Sequence, residues 1–222
     1  MKLAIIGYGK MGQAVAKVAL DSGWSIVAKV EKGNDWNPND WGADIVFEST
    51  SPGSAVDNTL RCIKAGLPVV IATTGWHSRL SELEHSGGIV FYATNFSIGI
   101  HLMNHISKYM TRVMTQFAEY NVSIQEEHHT QKLDSPSGTA LTLSEVVKAA
   151  GVEREIKISA SRKDDVVGIH KLCWVSEVDE LVLRHKAISR QGFALGAFKA
   201  LNWLLEKGSG VYTMNDMINE IR

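Results

Sequence analysis

Leu3-Ala4-Ile5-Ile6 runs directly into Gly7-Tyr8-Gly9-Lys10-Met11-Gly12, and the alanine- and valine-rich stretch that follows closes at Gly23. A continuous apolar run of this length reads as a buried parallel strand, and the segment after the glycines reads as a helix. The next apolar run, residues 25–30, ends at Glu31, twenty-four residues after Gly7. A lone G-x-G-x-x-G marks many turns. Here it follows a strand, opens a helix and is trailed by an acid at a second strand end, which is the arrangement of a dinucleotide site. Gly7 permits the turn, Gly9 lets backbone amides approach a pyrophosphate, and Gly12 allows close helix–strand packing. Glu31 is either a solvated strand-end charge or the acceptor for ribose hydroxyls.

Strand and helix signals then alternate. Residues 34–42 form a polar loop, residues 45–48 a strand, 54–65 a helix closed by Gly66, 68–72 a strand, 78–85 a short helix and 89–93 a strand. Short links between such units predict an α/β fold, a Rossmann-type doubly wound parallel sheet. Ligands of these sheets sit beyond the carboxyl ends of the strands. Those ends carry Ser49 and Thr50, then Ala72, Thr73 and Thr74, then Ala93, Thr94, Asn95 and Phe96, small or polar groups suited to a nicotinamide and its ribose. With the Gly-rich turn, Glu31 and Lys32 they make up the expected cofactor site.

The pattern changes after Ser97. Residues 98–112 read as a helix, and 117–125 alternate as a strand. Segments 156–160, 166–175 and 180–185 read as strands in hairpin-like succession, which predicts a second α+β domain with an open mixed sheet. Residues 191–206 return to helix, Gly208-Ser209-Gly210 ends it, and 214–221 form a last short helix. The expected division is a dinucleotide-binding domain of residues 1–96 and 190–222, and a substrate-binding and oligomerisation domain of 97–189.

Between these signals lies Glu126-Glu127-His128-His129-Thr130-Gln131-Lys132-Leu133-Asp134-Ser135-Pro136-Ser137-Gly138-Thr139-Ala140. Two imidazoles and an ammonium can move protons or hold a carboxylate near neutral pH. The second half opens a helix over 138–150, with Ser135 and Ser137 as alternative N-caps and Pro136 suited to the first helical position. Amides of Gly138 and Thr139 then have no intrahelical acceptor and attract an anion. A capped helix after a polar loop is the plainer reading of the same residues. Metal ligation by Glu127-His128-His129 is not expected, because neighbours on a strand point apart and no H-E-x-x-H spacing occurs.

Net charge is −1 with a sequence pI near 6.7, which leaves no global field for nucleic acid or an anionic membrane. Cys62 and Cys173 lack metal-ligand spacing and read as buried thiols of a reducing cytoplasm. No span reaches membrane length.

The chain is similar, nearly end to end, to the 4-hydroxy-tetrahydrodipicolinate reductase (dihydrodipicolinate reductase) family. The resemblance rests on Glu127-His128-His129 with Lys132, Asp134 and Pro136-Ser137-Gly138-Thr139-Ala140, on Lys10-Met11-Gly12, Thr73-Thr74-Gly75 and Asn95-Phe96-Ser97, and on Phe193-Ala194 with Gly196-Ala197. It implies NAD(P)H-dependent reduction of a cyclic imine dicarboxylate in lysine and diaminopimelate biosynthesis. It also implies His128 as acid/base, Lys132 as proton donor, and His129, Ser137, Gly138 and Thr139 as substrate-binding residues. A cytoplasmic homotetramer joined through the second-domain sheet is expected on the same ground. The sequence departs from the family pattern at Ser51, where many relatives carry a basic residue, at Ala72, where glycine is common, and in a nucleotide turn one residue shorter. Glu31 favours NADH by repelling a 2′-phosphate, and Lys10 and Lys32 keep NADPH usable. Competing readings are a Rossmann dehydrogenase acting on aspartate or homoserine, and a non-catalytic dinucleotide-sensing module.

Overall fold

The computed structural model describes residues 1–164 and 166–220. In chain order the elements are β1 (Lys2–Ile6), α1 (Lys10–Asp21), β2 (Ser25–Val30), β3 (Ile45–Glu48), α2 (Pro52–Lys64), β4 (Val69–Ile71), α3 (Leu80–Glu84) and β5 (Ile89–Tyr92). There follow α4 (Ile98–Met114), β6 (Asn121–His128), α5 (Gly138–Ala149), β7 (Lys157–Arg162), β8 (Gly168–Val175) and β9 (Glu180–Ala187), and then α6 (Gln191–Leu204), β10 (Gly210–Thr213) and α7 (Met214–Asn219). Ile221, the predicted end of the last helix, lies outside the described residues. The chain divides into two compact units, one of Met1–Ser97 with the chain from Gln191 on, and one of Ile98–Arg190.

The first unit is built on a six-stranded sheet in the order β10-β5-β4-β3-β1-β2, with every pairing parallel. The inner strands β1, β3 and β4 are buried on both faces, as inner parallel strands are, so they read as apolar runs and not as alternations. Residues 3–6 of β1 are all buried. Ala4 and Ile6 meet Val46, Val69, Ile71 and Val90 beside α2, while α6 packs its small side chains Ala194, Ala197 and Ala200 among α1, β4 and β5. The order reverses at β1, which lies between β2 and β3. Ile6 pairs with Val30 on one side and Glu48 on the other, so the three carboxyl ends stand level and a crevice opens beyond them.

The second unit has the strand order β7-β6-β8-β9, with β6 parallel to β7 and antiparallel to β8. It is the expected mixed sheet, but β7 and β8 do not form a hairpin because β6 lies between them. Val122, Ile124, Leu172 and Trp174 face Met103 and Met114 of α4 and Leu143 and Val147 of α5. On the other face Gln125 and Val182 are exposed, and no helix of this unit covers them among the described residues.

Most element boundaries agree with the sequence reading to within about two residues, and the larger departures are these. The strand expected at 117–125 begins at Asn121, after a turn in which Tyr120 N–H bonds to Phe117 O, and continues to His128. Glu126, Glu127 and His128 are therefore strand residues, and His128 is not part of the loop. Pro136 precedes α5, whose N-cap is Ser137. β10 was not expected at all.

Candidate functional site

Each unit carries one part of the expected chemistry. In the first, Gly7 adopts φ +91°, and a Cβ there would lie 2.2 Å from Ser49 O. A Cβ on Gly12 would lie 2.2 Å from Gly7 O, so α1 can approach its strand only with glycine at that position. A Cβ on Gly9 would meet nothing within 4 Å. Gly9 is also the N-cap of α1, with no side chain to satisfy the first-turn amides, so these remain for a ligand. Gly7 thus makes the turn, Gly12 the close packing, and Gly9 leaves the helix start open.

A cavity of about 710 Å³ opens at this turn. Of the expected cofactor residues, Gly7, Tyr8, Gly9, Glu31, Lys32 and Thr50 line it. Lys10, Met11 and Gly12 form the first turn of α1, with Lys10 exposed and Gly12 buried. Ser49 stands behind the wall, where its hydroxyl donates to Gly7 O at 2.9 Å. The remaining expected residues stand farther along the sheet edge. Ala72 N–H bonds to Glu48 O, Thr73 Oγ1 accepts from Thr50 N–H at 2.8 Å, and Thr74 is exposed. Ala93 is buried, Thr94 is exposed, Asn95 Oδ1 accepts from Ser97 N–H, and Phe96 packs on Phe91. The cavity also takes in Gly33, Asn34, Trp36, Ser51, Ser54 and Asn58, which the sequence reading did not assign. Trp36 gets there because the loop at 34–42 is compact. A short helical turn, Pro38–Asp40, stacks Trp36 on Trp41, and the Arg61 guanidinium lies over the Trp36 ring. Behind the wall Glu48 is fully buried, its carboxyl raised above the ordinary range by desolvation and bonded to Thr50 and Asn58.

In the second unit the alternation of β6 turns Glu126 and His128 inward on one face, with Glu127 on the other. Glu126 pairs with His170 across β8, and His128 with Arg162 across β7. Four ionisable groups thereby meet from three strands, two of them about thirty to forty residues away along the chain. Glu126 Oε1 accepts from Ser137 N–H at 3.0 Å and from Arg162 at 3.5 Å; Oε2 lies 3.4 Å from His128 Nδ1 and 3.7 Å from His170 Nε2. Burial lowers the His128 pKa, against the pull of the Glu126 charge, and Lys132 and Arg162 lower it further. A Cβ on residue 168 would stand 3.1 Å from His128 Nε2, so Gly168 makes the space for the ring.

The loop after β6 is strapped by Arg162, which donates to Lys132 O at 3.3 Å and Asp134 O at 2.5 Å. Lys132 Nζ lies 2.7 and 2.9 Å from the two Asp134 carboxylate oxygens. That ammonium and the backbone amides of Asp134 and Gly138 hold the Asp134 carboxyl below its ordinary range. Lys132 and the start of α5 are thus already a carboxylate site, held by a side chain of the protein. Ser137 is buried, and its hydroxyl accepts from Ala140 N–H and lies 3.2 Å from His170 Nε2. Gly138 is open, with nothing within 4 Å of its missing Cβ. His129 Nε2 lies 3.4 Å from the Arg190 guanidinium, a second cation for an anionic ligand that the sequence reading did not pick out.

Among the described residues, one donor set lies close enough to hold a metal: Glu126, His128 and His170, with ligand atoms within 4.8 Å of one another. Arg162 already supplies a counter-charge to Glu126. Adjacent Glu127, which the sequence pairs with His128, points away, as strand geometry requires.

His170 is 4% exposed, and burial, with the neighbouring His128, pushes its pKa down to about 4. An imidazole whose folded pKa lies below its unfolded value stabilises the fold fully above the unfolded pKa, and that stability is lost as pH falls. Between the unfolded value of 6.5 and about 4, folding should lose on the order of 3 kcal/mol through this group. Urea midpoints measured across that interval should fall less steeply in His170→Gln than in the wild type. Equal slopes would remove His170 from the acid response.

The family profile described as "Dihydrodipicolinate reductase, N-terminus" matches residues 1–96, and "Dihydrodipicolinate reductase, C-terminus" matches residues 99–218. A 4-hydroxy-tetrahydrodipicolinate reductase of Christiangramia forsetii is 35% identical, over 100% of this chain and 99% of its own. The protein of the same name from Clostridium novyi is 34% identical over 95% and 94%. A dipicolinate-bound dihydrodipicolinate reductase of a Paenisporosarcina species superposes with a TM-score of 0.80 at 23% identity, covering 98% of this chain and 99% of that one. The fold is also that of an aspartate dehydrogenase of Thermotoga maritima, at a TM-score of 0.52, 19% identity and coverage of 93% and 97%.

Proposed function

Because this chain belongs to the dihydrodipicolinate reductase family, we propose that it reduces 4-hydroxy-tetrahydrodipicolinate, by way of dihydrodipicolinate, to tetrahydrodipicolinate with NADH or NADPH in lysine and diaminopimelate biosynthesis. The observation that carries this reading is the carboxylate site at Lys132 and the Gly138 turn, beside a buried imidazole. A ring dicarboxylate needs such a site, and a dipicolinate, also a ring dicarboxylate, is bound in the Paenisporosarcina protein.

When bound, the reduced nicotinamide supplies a hydride to the conjugated ring left after the substrate loses water. The Gly9 gap and the first-turn amides of α1 fit the pyrophosphate, and Glu31 fits the ribose hydroxyls. The chain's other residues handle charge. His128 serves the dehydration as acid/base. Lys132 delivers the proton that quenches the negative charge left on the ring, so that substrate, NADH and one proton give product, NAD⁺ and water. The Gly138 and Thr139 amides and the Ser137 turn hold one carboxylate, and His129, with Arg190 beside it, meets the other. Electrostatic positioning of this kind is commonly the largest contribution to rate.

Freshly generated cyclic imine, assayed with NADH and then NADPH, tests the reading. Turnover with both, and no large preference for NADPH, is expected. Failure on the imine together with oxidation of aspartate or homoserine would move the protein to another dehydrogenase class. Glu31→Ala should shift the NADPH:NADH ratio of kcat/KM upward by about tenfold, since a carboxylate near a 2′-phosphate costs on the order of 1 kcal/mol or more. An unchanged ratio would contradict the role given to Glu31. We place the enzyme in the cytoplasm as a homotetramer joined through the open face of the second unit's sheet; no helix is long and apolar enough to cross a membrane among the described residues.

A further inference from the structure

The strongest unexplained feature is a buried carboxylate that makes no use of one of its oxygens. Glu126 Oε2 and His128 Nδ1 are both buried without a hydrogen-bond partner, although they stand only 3.4 Å apart. Such a pair stands in ion-pair contact without a well-aligned hydrogen bond, the one polar neighbour that each of these two atoms has within 3.5 Å among the described residues being the other. The other oxygen of the same carboxylate holds Ser137 N–H, the residue that caps α5 and begins the carboxylate-binding turn.

We infer that Glu126 is the positioning residue of this enzyme: one carboxylate oxygen orients His128 through Nδ1, and the other fixes the turn that receives the substrate carboxylate. The inference rests on the acid/base role proposed for His128. With a proton on Nδ1 facing Glu126, the free lone pair lies on Nε2, and a proton taken up there makes an imidazolium beside a buried anion. Carboxylate–imidazole pairs of this form set the tautomer and steady the charged ring. Arg162 supplies a counter-charge to Glu126 from the opposite side, at 3.5 Å from Oε1, and by strapping the Lys132–Asp134 loop it ties the proton donor to the same anchor. His170 approaches Oε2 from β8 but gives its Nε2 to the Ser137 hydroxyl, so it supports the turn. The charged and titratable groups around His128 are thus Glu126 on its own strand, Lys132 and Asp134 on the loop, Arg162 on β7 and His170 on β8.

Glu126→Gln separates the two duties, because its amide oxygen can still accept from Ser137 N–H while no anion faces His128. The expected result is a KM for the imine close to wild type and a kcat lowered about 10- to 100-fold. The limb of the pH–rate profile governed by His128 should move to lower pH, since an attractive negative charge has been removed. Glu126→Ala should raise KM as well. A glutamine variant with wild-type kcat and pH profile would overturn the inference. The native enzyme supplies a reading independent of any variant's folding: ¹⁵N chemical shifts of labelled histidine should show neutral His128 protonated on Nδ1, and protonation on Nε2 would overturn the inference equally. The chemical-shift result does not depend on which substrate is turned over. Full activity in His128→Gln would instead remove the acid/base role itself.

Discussion

Lys132→Ala is expected to lower kcat about 10²- to 10³-fold while leaving NADH affinity essentially unchanged. The ammonium lies on the loop that leads into the turn at the start of α5, paired with Asp134, and its removal takes away both a proposed proton source and a point charge. The main chain of the loop does not depend on it. Arg162 donates to the carbonyls of Lys132 and Asp134, neither of which is altered by trimming the lysine side chain. The loss should therefore report on chemistry and not on a collapsed loop. Lys132→Arg divides the two contributions, because a guanidinium retains the charge but does not give up a proton near neutral pH. Its KM should approach wild type and its kcat should stay low. Steady-state kinetics with the cyclic imine, set beside a fluorescence titration with NADH, read both quantities. Near-normal turnover by the alanine variant would dismiss Lys132 as the donor.

Gly12→Ala should severely damage the nucleotide-binding half. The added carbon would stand 2.2 Å from Gly7 O and 3.2 Å from the Ile5 side chain, and the first of these is backbone that cannot swing aside. Overpacking against fixed atoms costs roughly 2–3 kcal/mol, which corresponds to a Tm lower by about 5–10 °C, and the displaced turn should no longer bind NADH. Gly9→Ala makes the contrast. Its methyl meets nothing within 4 Å in the free protein, so Tm should stay within the effect of a changed N-cap, about 1 kcal/mol. KM for NADH should nevertheless rise roughly tenfold or more, because the methyl fills the approach to the first-turn amides. Equal melting temperatures for the two variants, measured by calorimetry, would contradict this division of roles.

The first half of the chain is plainly written in its sequence because parallel strands buried on both faces are continuous apolar runs, and because each glycine of the turn has a separate steric reason to be there. The acid/base cluster is only half legible. His128, His129, Lys132 and Ser137 lie within ten residues of one another, but Arg162 and His170 reach the cluster by strand register, which no local pattern discloses. Glu126 opens the acid/base segment but receives no role from the sequence, although a period of two from Val122 and Ile124 places it on the buried face, because a buried polar residue interrupts a hydrophobic alternation where function requires it. Apolar Phe117 and Tyr120 extended that alternation falsely into a turn. The short strand at Gly210–Thr213 has partly buried residues throughout and a single pairing partner, β5; only that pairing makes it a strand.

That last strand also sets an order of assembly during synthesis. β10 and the helix that covers β4 and β5 are made only after all of residues 98–190 have emerged, so the nucleotide-binding sheet has an open edge and an uncovered apolar face until the end of translation. The inserted unit closes its own sheet from contiguous chain and can fold first. A ribosome stalled shortly before Gln191 would thus display a finished second unit joined to an unfinished nucleotide-binding sheet, and that is the stage at which the nascent protein most needs protection from aggregation.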